Sequence, residues 1–418
     1  MSIKPLVVVI GGGAAGLFGA IRIKEHHPHA RVVVLEKSGR ALAKLKISGG
    51  GRCNVTHHQF DPRQLVAAYP RGEKELLGPF HQFQPQDMVN WLSKKGVMLK
   101  TEQDGRIFPV SDCSQTIIDC FLNTAAAYQI EILYQEECQS IRCKNDRLEV
   151  TTPQNSYSAT CCLIATGSHP KAQGLLSSLG IGLVPQVPSL FTFDLPGSFL
   201  LEIPGTVFPH ANLSIPGTRF QTQGPVLVTH TGISGPATLK LSAFAALELH
   251  QKSYRATILM NCQSSTTKQQ KLNELLLLKK NQPFKDLGSC PPFQLTRNCY
   301  AAILKHLQID PSIKLHRVNL ALLESISAFC HAMPLEMAGK SCYKEEFVTA
   351  GGVDKKEINF KTMEHKRTKR LFFAGEVIDI DGITGGYNFQ NAWTTADLAA
   401  LGMKLYLEQE AMIAAAGN

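Results

Sequence analysis

The segment from Leu6 to Glu36 leaves this chain few folds to choose from. It opens on Leu6-Val7-Val8-Val9-Ile10, a β-branched run suited to a strand buried on both faces. The next residues, GGGAAG, place Gly11, Gly13 and Gly16 in the pattern G-x-G-x-x-G, and a helix-like segment runs on to about His26. A second β-branched run, Arg31-Val32-Val33-Val34-Leu35, ends in Glu36. Twenty residues separate Gly16 from Glu36, the interval at which an acid meets a ribose hydroxyl after one βαβ pass. The glycines permit, in turn, a tight bend, close approach of backbone to a pyrophosphate, and close packing of helix on strand. The pyrophosphate would sit on the helix N-terminus, where free N–H groups and the dipole favour anions. The segment predicts a dinucleotide site on an α/β sheet.

That first motif does not separate FAD from NAD. No second G-x-G-x-x-G follows a strand farther along. Instead, Leu163-Ile164-Ala165-Thr166-Gly167 reads as a strand closing in A-T-G, and Leu371-Phe372-Phe373-Ala374-Gly375-Glu376 as a strand ending in glycine and an acid. Two-dinucleotide flavoproteins return to their FAD in this way, so the three signals in this order predict FAD.

Composition bounds the rest. At 418 residues the chain has room for two or three domains. A formal charge of +9 on a chain with only 18% charged residues admits an anionic partner such as RNA or a phosphorylated cofactor. The twelve cysteines form no CxxC pair and no framework spacing, which argues against zinc and disulfides and fits a reducing cytoplasm. The uncharged run Leu6 to Ile21 is too short for a membrane span of about 20 residues. With five glycines and no basic n-region, it reads as buried strand, turn and helix, so no membrane association is expected.

Five stretches carry a family resemblance: ISGGGRCNVT (Ile47 to Thr56), DGRIFPVSD (Asp104 to Asp112), THTGISGPATL (Thr229 to Leu239), VTAGGV (Val348 to Val353) and FFAGEVIDIDGITGGYNFQNAW (Phe372 to Trp393). Together they resemble the HI0933-like flavoproteins, the BaiN/RdsA family of NAD(P)/FAD-dependent oxidoreductases. The resemblance implies a discontinuous, Rossmann-like two-dinucleotide FAD-binding domain (1–188 and 345–418). An inserted β-barrel-like domain (189–261 and 326–344) would carry a small helical domain (262–325). The residues agree: 190 to 260 is rich in Pro, Gly, Thr and β-branched runs, and QQKLNELLLLKK and NCYAAILKHL have helix-spaced apolar positions. Two departures from the family's pattern lie near the last helix. Asn391 stands where the family usually has Trp, and Thr394-Thr395-Ala396 replaces a small, glycine-containing stretch.

Carried over position by position, the resemblance implies that Gly11, Gly13, Ala15 and Gly16 hold the pyrophosphate, with Glu36 and neighbouring Lys37 at the adenosine ribose. The loop Ser48, Gly49, Gly50, Gly51, Arg52, Cys53 and Asn54 would run along the isoalloxazine and ribityl groups. Ala165, Thr166 and Gly167 would line the adenine-side crevice. Gly375, Glu376 and Asp379 would approach the flavin phosphates and ribityl chain. Gly385, Gly386, Tyr387 and Asn388 would bring helix N–H donors to the O2/N1 edge, where negative charge develops on reduction. A nicotinamide cofactor, NADH or NADPH, would visit transiently.

Family activities imply reduction of an activated C=C bond, in unsaturated 3-oxo bile acids or in a uridine of 23S rRNA. Cys53, Tyr387 and His230 are the candidate acids, each weighed against a packing or structural role. Between Cys262 and Ser325 nine basic residues face four acids, an excess of five. A basic helical module suits an RNA held by its phosphates while one base is extruded, with Lys268, Lys271, Lys279 and Lys280 as candidate contacts. The alternative for the same charges is an ordinary solvated helix face. The leading expectation is therefore an rRNA dihydrouridine synthase partnered with large-subunit rRNA. Beside it stand a small-molecule flavin oxidoreductase, acting on a steroid-like enone or an amine, and an FAD-bearing RNA-binding or ribosome assembly factor. The sequence leaves the oligomeric state open.

Overall fold

The computed structural model describes residues 4–341 and 348–416, except for the side chains of 413–416. The chain divides into two compact units, Met1–Pro188 with Lys344–Asn418, and Ser189–Tyr343. The expected boundary between 344 and 345 lies outside the described residues.

The first unit is built on five parallel strands: β1 (Leu6–Ile10), β2 (Arg31–Glu36), β3 (Glu131–Tyr134), β4 (Cys161–Ile164) and β5 (Leu371–Phe373). Their order is β5-β4-β1-β2-β3, extended beyond β5 by an antiparallel hairpin, Ile358–Asn359 and Glu364–His365. Val8 lies level with Val33 on one side and Cys162 on the other, and Leu163 with Phe372. Strand residues 7–10, 32–35, 161–164 and 371–373 are all buried, which is why these runs are continuously apolar rather than alternating.

Helix α1 (Ala14–His26) follows β1, and helix α2 (Tyr387–Gly402) packs along it. Gly19 makes this approach possible: a Cβ there would lie 2.6 Å from Leu163 Cδ2 and 3.5 Å from Ala396 Cβ. Arg22 on α1 binds the buried Asp397 of α2 through Nε (2.5 Å). Trp393 is fully buried among Phe18, Phe121 and Phe389, and its Nε1 donates to Val55 O (2.9 Å). These contacts set where the N-terminus of α2 falls.

The second unit holds a seven-stranded antiparallel sheet in the order 333–337, 256–261, 207–214, 221–228, 232–234, 192–194, 339–341. Its two outer strands are consecutive in the chain, joined by Ala338 alone, so the sheet must curl until its edges meet. Helices Lys268–Asn281, Arg297–His306 and Leu320–His331 bury Leu275, Tyr300, Ile303 and Ile326 in one core with Phe208, Leu213 and Ile258 of the sheet. The last helix runs past residue 325, so helical and sheet segments are continuous there. Among the described residues, no helix is long and apolar enough to cross a membrane.

Candidate cofactor site

Strand order reverses around β1, and the crevice outside the strands' carboxyl ends is where α/β sheets bind ligands. Gly11 N donates to Leu35 O (2.9 Å), tying the glycine loop to β2. Gly11 has φ +105°, and a Cβ there would lie 2.5 Å from Ala165 O. At Gly16 a Cβ would fall 1.8 Å from Gly11 O, so the turn and the helix start exclude any side chain. Gly13 differs: nothing lies within 4 Å of its would-be Cβ, and that open side faces away from packed protein. Gly13 caps α1 without a side-chain hydrogen bond, and no acid occupies the first turn. The helix end is left to an outside anion.

Glu36 is held ready rather than free. Its Oε2 accepts from Gly12 N (2.7 Å) and its Oε1 from Ser38 N (2.8 Å), leaving further lone pairs for hydroxyl donors. Lys37 beside it is exposed. At the end of β4, Thr166 Oγ1 is buried and makes no hydrogen bond. Such an orphan is uncommon and asks for a partner from outside the chain.

The return strand brings two lysines that the sequence does not single out. Glu376 Oε2 pairs with Lys44 Nζ (2.8 Å), and its Oε1 accepts from Thr349 N (3.2 Å). Gly167 faces the same carboxylate, 3.7 Å from its would-be Cβ. Asp379 is buried, accepts from Gly351 N (3.1 Å) and pairs with Lys355 Nζ (2.5 Å). Neither Lys44 nor Lys355 stands in a motif, so only the fold could reveal them.

The glycine loop takes its form from backbone sterics. Helix Ala43–Gly51 is broken at Ser48 (ψ 147°), and Gly49, Gly50 and Gly51 follow with φ of 57°, 69° and 84°. Three successive left-handed residues are tolerated essentially only by glycine. Gly50 and Gly51 also present open space, whereas a Cβ at Gly49 would meet Asn54 N and Phe108 Cε1 at 3.1 Å.

The three polar residues after these glycines need correction. Arg52 turns aside: its guanidinium lies 4.0 Å from the Phe108 ring centroid and bonds Glu102 Oε1 at 2.6 Å. Cys53 is fully buried, so its thiol offers no surface to a substrate, and the same burial pushes it up to about 12. Asn54 is a staple, oriented so that Nδ2 donates to Thr56 O (3.0 Å) and Oδ1 accepts from Gly386 N (3.0 Å).

That staple fixes the start of α2. Gly385 (φ +126°) and Gly386 (φ +92°) lie flat on the loop, and a Cβ on Gly386 would meet Thr56 O at 2.6 Å. Asn388 closes the turn by accepting from Gly382 N (2.8 Å) and donating to Gly382 O (2.9 Å). Like α1, α2 has no side-chain cap and no acid in its first turn. The Tyr387 ring stacks on His57 at 4.7 Å, and Tyr69 Oη donates to Tyr387 O (2.7 Å). Burial pushes the Tyr387 phenol up to about 12, so it stays protonated at neutral pH. His57 is invisible in the sequence as a site residue, because nothing local links it to a tyrosine 330 residues later.

At the two departures, Asn391 is buried with an unbonded Oδ1. Thr395 Oγ1 accepts from Gly375 N (2.8 Å), and Thr394 Oγ1 donates to Phe83 O (2.9 Å). These threonines satisfy backbone groups that a smaller side chain would leave open.

His230, the third candidate acid, is an exposed turn residue of the second unit between strands 221–228 and 232–234. The four candidate RNA-binding lysines also lie in that unit. Lys271 is a correction: it is fully buried, with Nζ donating to Gln263 O (3.0 Å) and Thr266 O (3.3 Å). It cannot meet a phosphate. Lys279 is half-buried and donates to Val318 O (2.5 Å), whereas Lys268 and Lys280 are exposed.

Two uncapped helix ends, a preset carboxylate, an open-sided glycine and an orphan hydroxyl fit a dinucleotide carrying a flavin. Fold and site define an FAD-binding Rossmann flavoprotein of the oxidoreductase class. The chain belongs to the HI0933-like family: the profile described as "HI0933-like protein Rossmann domain" matches residues 5–402. It is 28% identical to a ribosomal RNA dihydrouridine synthase of Escherichia coli, over 93% of this chain and 95% of that protein. It is 23% identical to a 3-dehydro-bile acid delta(4,6)-reductase of Clostridium scindens, over 94% of this chain and 97% of the relative. Among solved structures, a 3-ketosteroid delta1-dehydrogenase from Sterolibacterium denitrificans aligns with a TM-score of 0.50 at 10% identity. That alignment covers 96% of this chain and 99% of the other, and the likeness is one of fold.

Proposed function

We infer that this protein is an FAD-dependent reductase that uses NADH or NADPH to convert a uridine of large-subunit rRNA to dihydrouridine. The observation that carries the reading is the match, over 93% of the chain, to a ribosomal RNA dihydrouridine synthase. Gly11, Gly13, Ala15 and Gly16 would hold the pyrophosphate at the end of α1, with Glu36 and Lys37 at the ribose. Ala165, Thr166 and Gly167 would line the adenine side. Gly375 and Glu376, with Lys44, would bound the phosphate and ribityl region, where Asp379 is backed by Lys355. Loop 48–54 and the start of α2 at Gly385, Gly386, Tyr387 and Asn388 would border the flavin ring.

When bound, FAD supplies hydride transfer to an alkene conjugated to a carbonyl. In uracil the hydride adds to C6, the C5=C6 bond is consumed, and a proton adds to C5. The chain's part is to present N–H groups at the start of α2, where charge develops, and to keep bulky side chains off the glycine loop. Of the three candidate acids, Cys53 is fully buried and His230 lies in the second unit, which leaves Tyr387 at the start of α2. Its phenol, seated on His57, is positioned to hold a proton at neutral pH.

Deleting the gene and measuring dihydrouridine in 23S rRNA by mass spectrometry tests the reading. The expected result is loss of that nucleoside and its return with the wild-type gene; an unchanged level overturns it. A second reading, reduction of a small steroid-like enone, is favoured by the 23% identity to the bile-acid reductase. It predicts that protein reduced by NADH or NADPH is reoxidised rapidly by enones and not by RNA.

A further inference from the structure

With Lys271 buried and Lys279 bonded to Val318 O, the charge of the helical segment is redistributed. Helix Lys268–Asn281 leaves Lys268 exposed at one end and Lys280 at the other, roughly 18 Å apart at 1.5 Å per residue. What surrounds Lys280 is distinctive. Phe284, four residues on, is 79% exposed, the most exposed large apolar side chain among the described residues. The backbone around it is firmly held: His316 N and Nδ1 both bond Pro283 O at 2.9 Å, and Leu315 N donates to Lys285 O (2.9 Å). The pairing sets the His316 ring 5.6 Å from the Phe284 ring, at 59°.

Lys285 follows Phe284 and Arg317 follows His316 in the chain, and both are exposed. Nearby acids are already engaged. Asp286 pairs with Lys314 (2.8 Å), and Glu274 accepts from Phe293 N (2.7 Å). An aromatic face held out into water costs hydrophobic free energy, and burial would recover it. Cations around an aromatic platform are the pattern by which unpaired bases are stacked while their phosphates are neutralised.

We propose that Phe284, with His316 beside it and Lys280, Lys285 and Arg317 around it, is a docking platform for an unpaired base of single-stranded RNA. The proposal rests on the rRNA reading and names the surface that takes the substrate. Charge selects RNA over a second copy of this chain, whose matching patch would bring the same cations together.

The test measures fluorescence anisotropy of the full-length protein with a labelled single-stranded uridine-containing RNA and with its duplex, over a range of salt. Wild type should prefer the single strand. Phe284→Ala should weaken that binding about tenfold with the salt slope unchanged, and Phe284→Trp should restore it. Lys285→Glu combined with Arg317→Glu should lower the salt slope by about 0.7 per lost phosphate contact. Circular dichroism checks that each variant is folded. Binding by Phe284→Ala equal to wild type, or equal affinity for the duplex, overturns the platform. Self-association that Phe284→Ala abolishes overturns it too, in favour of a second copy. If dihydrouridine is formed in rRNA but Phe284→Ala neither binds nor turns over RNA differently, the platform falls and the enzyme reading stands. If RNA binds through Phe284 but no dihydrouridine depends on the gene, the platform stands and the enzyme reading falls.

Discussion

The helices of the second unit's basic segment and the two that start at the crevice treat their N-termini in opposite ways. In the basic segment of the second unit, Thr267, Thr296 and Asn319 each cap a helix with a side-chain oxygen, accepting from Gln270 N, Cys299 N and Leu322 N. In the first unit, α1 and α2 begin at Gly13 and Gly386 with no side-chain cap and no acid in the first turn. Yet that same unit ties the start of Pro85–Lys94 with Asp87, whose Oδ2 accepts from Gln84 N (2.8 Å). Uncapped starts are not confined to these two, since Ser114–Ala127 and Pro236–Phe244 also begin with no side-chain cap and no acid in the first turn. What sets α1 and α2 apart is that they start beside the glycine loops at the crevice, where free N–H groups favour an anion.

The harshest way to break this contrast is Gly16→Ala. With a Cβ 1.8 Å from Gly11 O, the turn cannot keep its shape, and the expected outcome is insoluble or colourless protein by absorbance at flavin wavelengths. A sharper probe is Gly13→Asp. Gly13 has an extended backbone and open space, so an aspartate fits and caps α1. Flavin content should fall to nothing while the thermal stability of the cofactor-free protein rises slightly, by roughly a few tenths of a kcal/mol. A variant that retained its flavin would show that the end of α1 does not hold an anion.

Lys271→Met asks the converse of the second unit. It strands Gln263 O and Thr266 O, so chemical denaturation should show a loss of about 1–3 kcal/mol, with the salt slope of RNA binding unchanged. Thr296→Ala should cost about 1 kcal/mol by the same measurement and leave flavin content intact. The smallest effect is expected at Cys53. Its buried thiol is raised from 9.0 to about 12, so it should resist alkylation at pH 8 until the protein unfolds. Since the folded pKa is the higher one, the stability tied to this thiol is complete below about pH 9 and is lost as pH rises toward 12. Cys53→Ala should keep turnover within a few-fold of wild type.

Much of the crevice is legible in the sequence because it depends on local rules. The βαβ spacing to Glu36, the apolar continuity of buried parallel strands and the glycines of the loops all follow from backbone sterics over a few residues. Partners of charged side chains are not legible. Arg52 reads as part of the flavin-facing loop, but Glu102 and Phe108 draw it aside. Lys271 reads as one of a row of exposed lysines, since helix periodicity does not say that Gln263 and Thr266 close over it.

By itself, then, the sequence determined that a dinucleotide site forms where β1 meets α1, since a strand, three glycines and an acid at twenty residues act through near neighbours. Only the tertiary structure decided which polar groups are left for a ligand. β4 reaches β1 from more than 150 residues away, β5 reaches β4 from more than 200, and Asn54 finds Gly386 more than 300 residues on. Whether a hydrogen-bonding group is already satisfied depends on what packing brings against it, and no spacing along the chain encodes that contact.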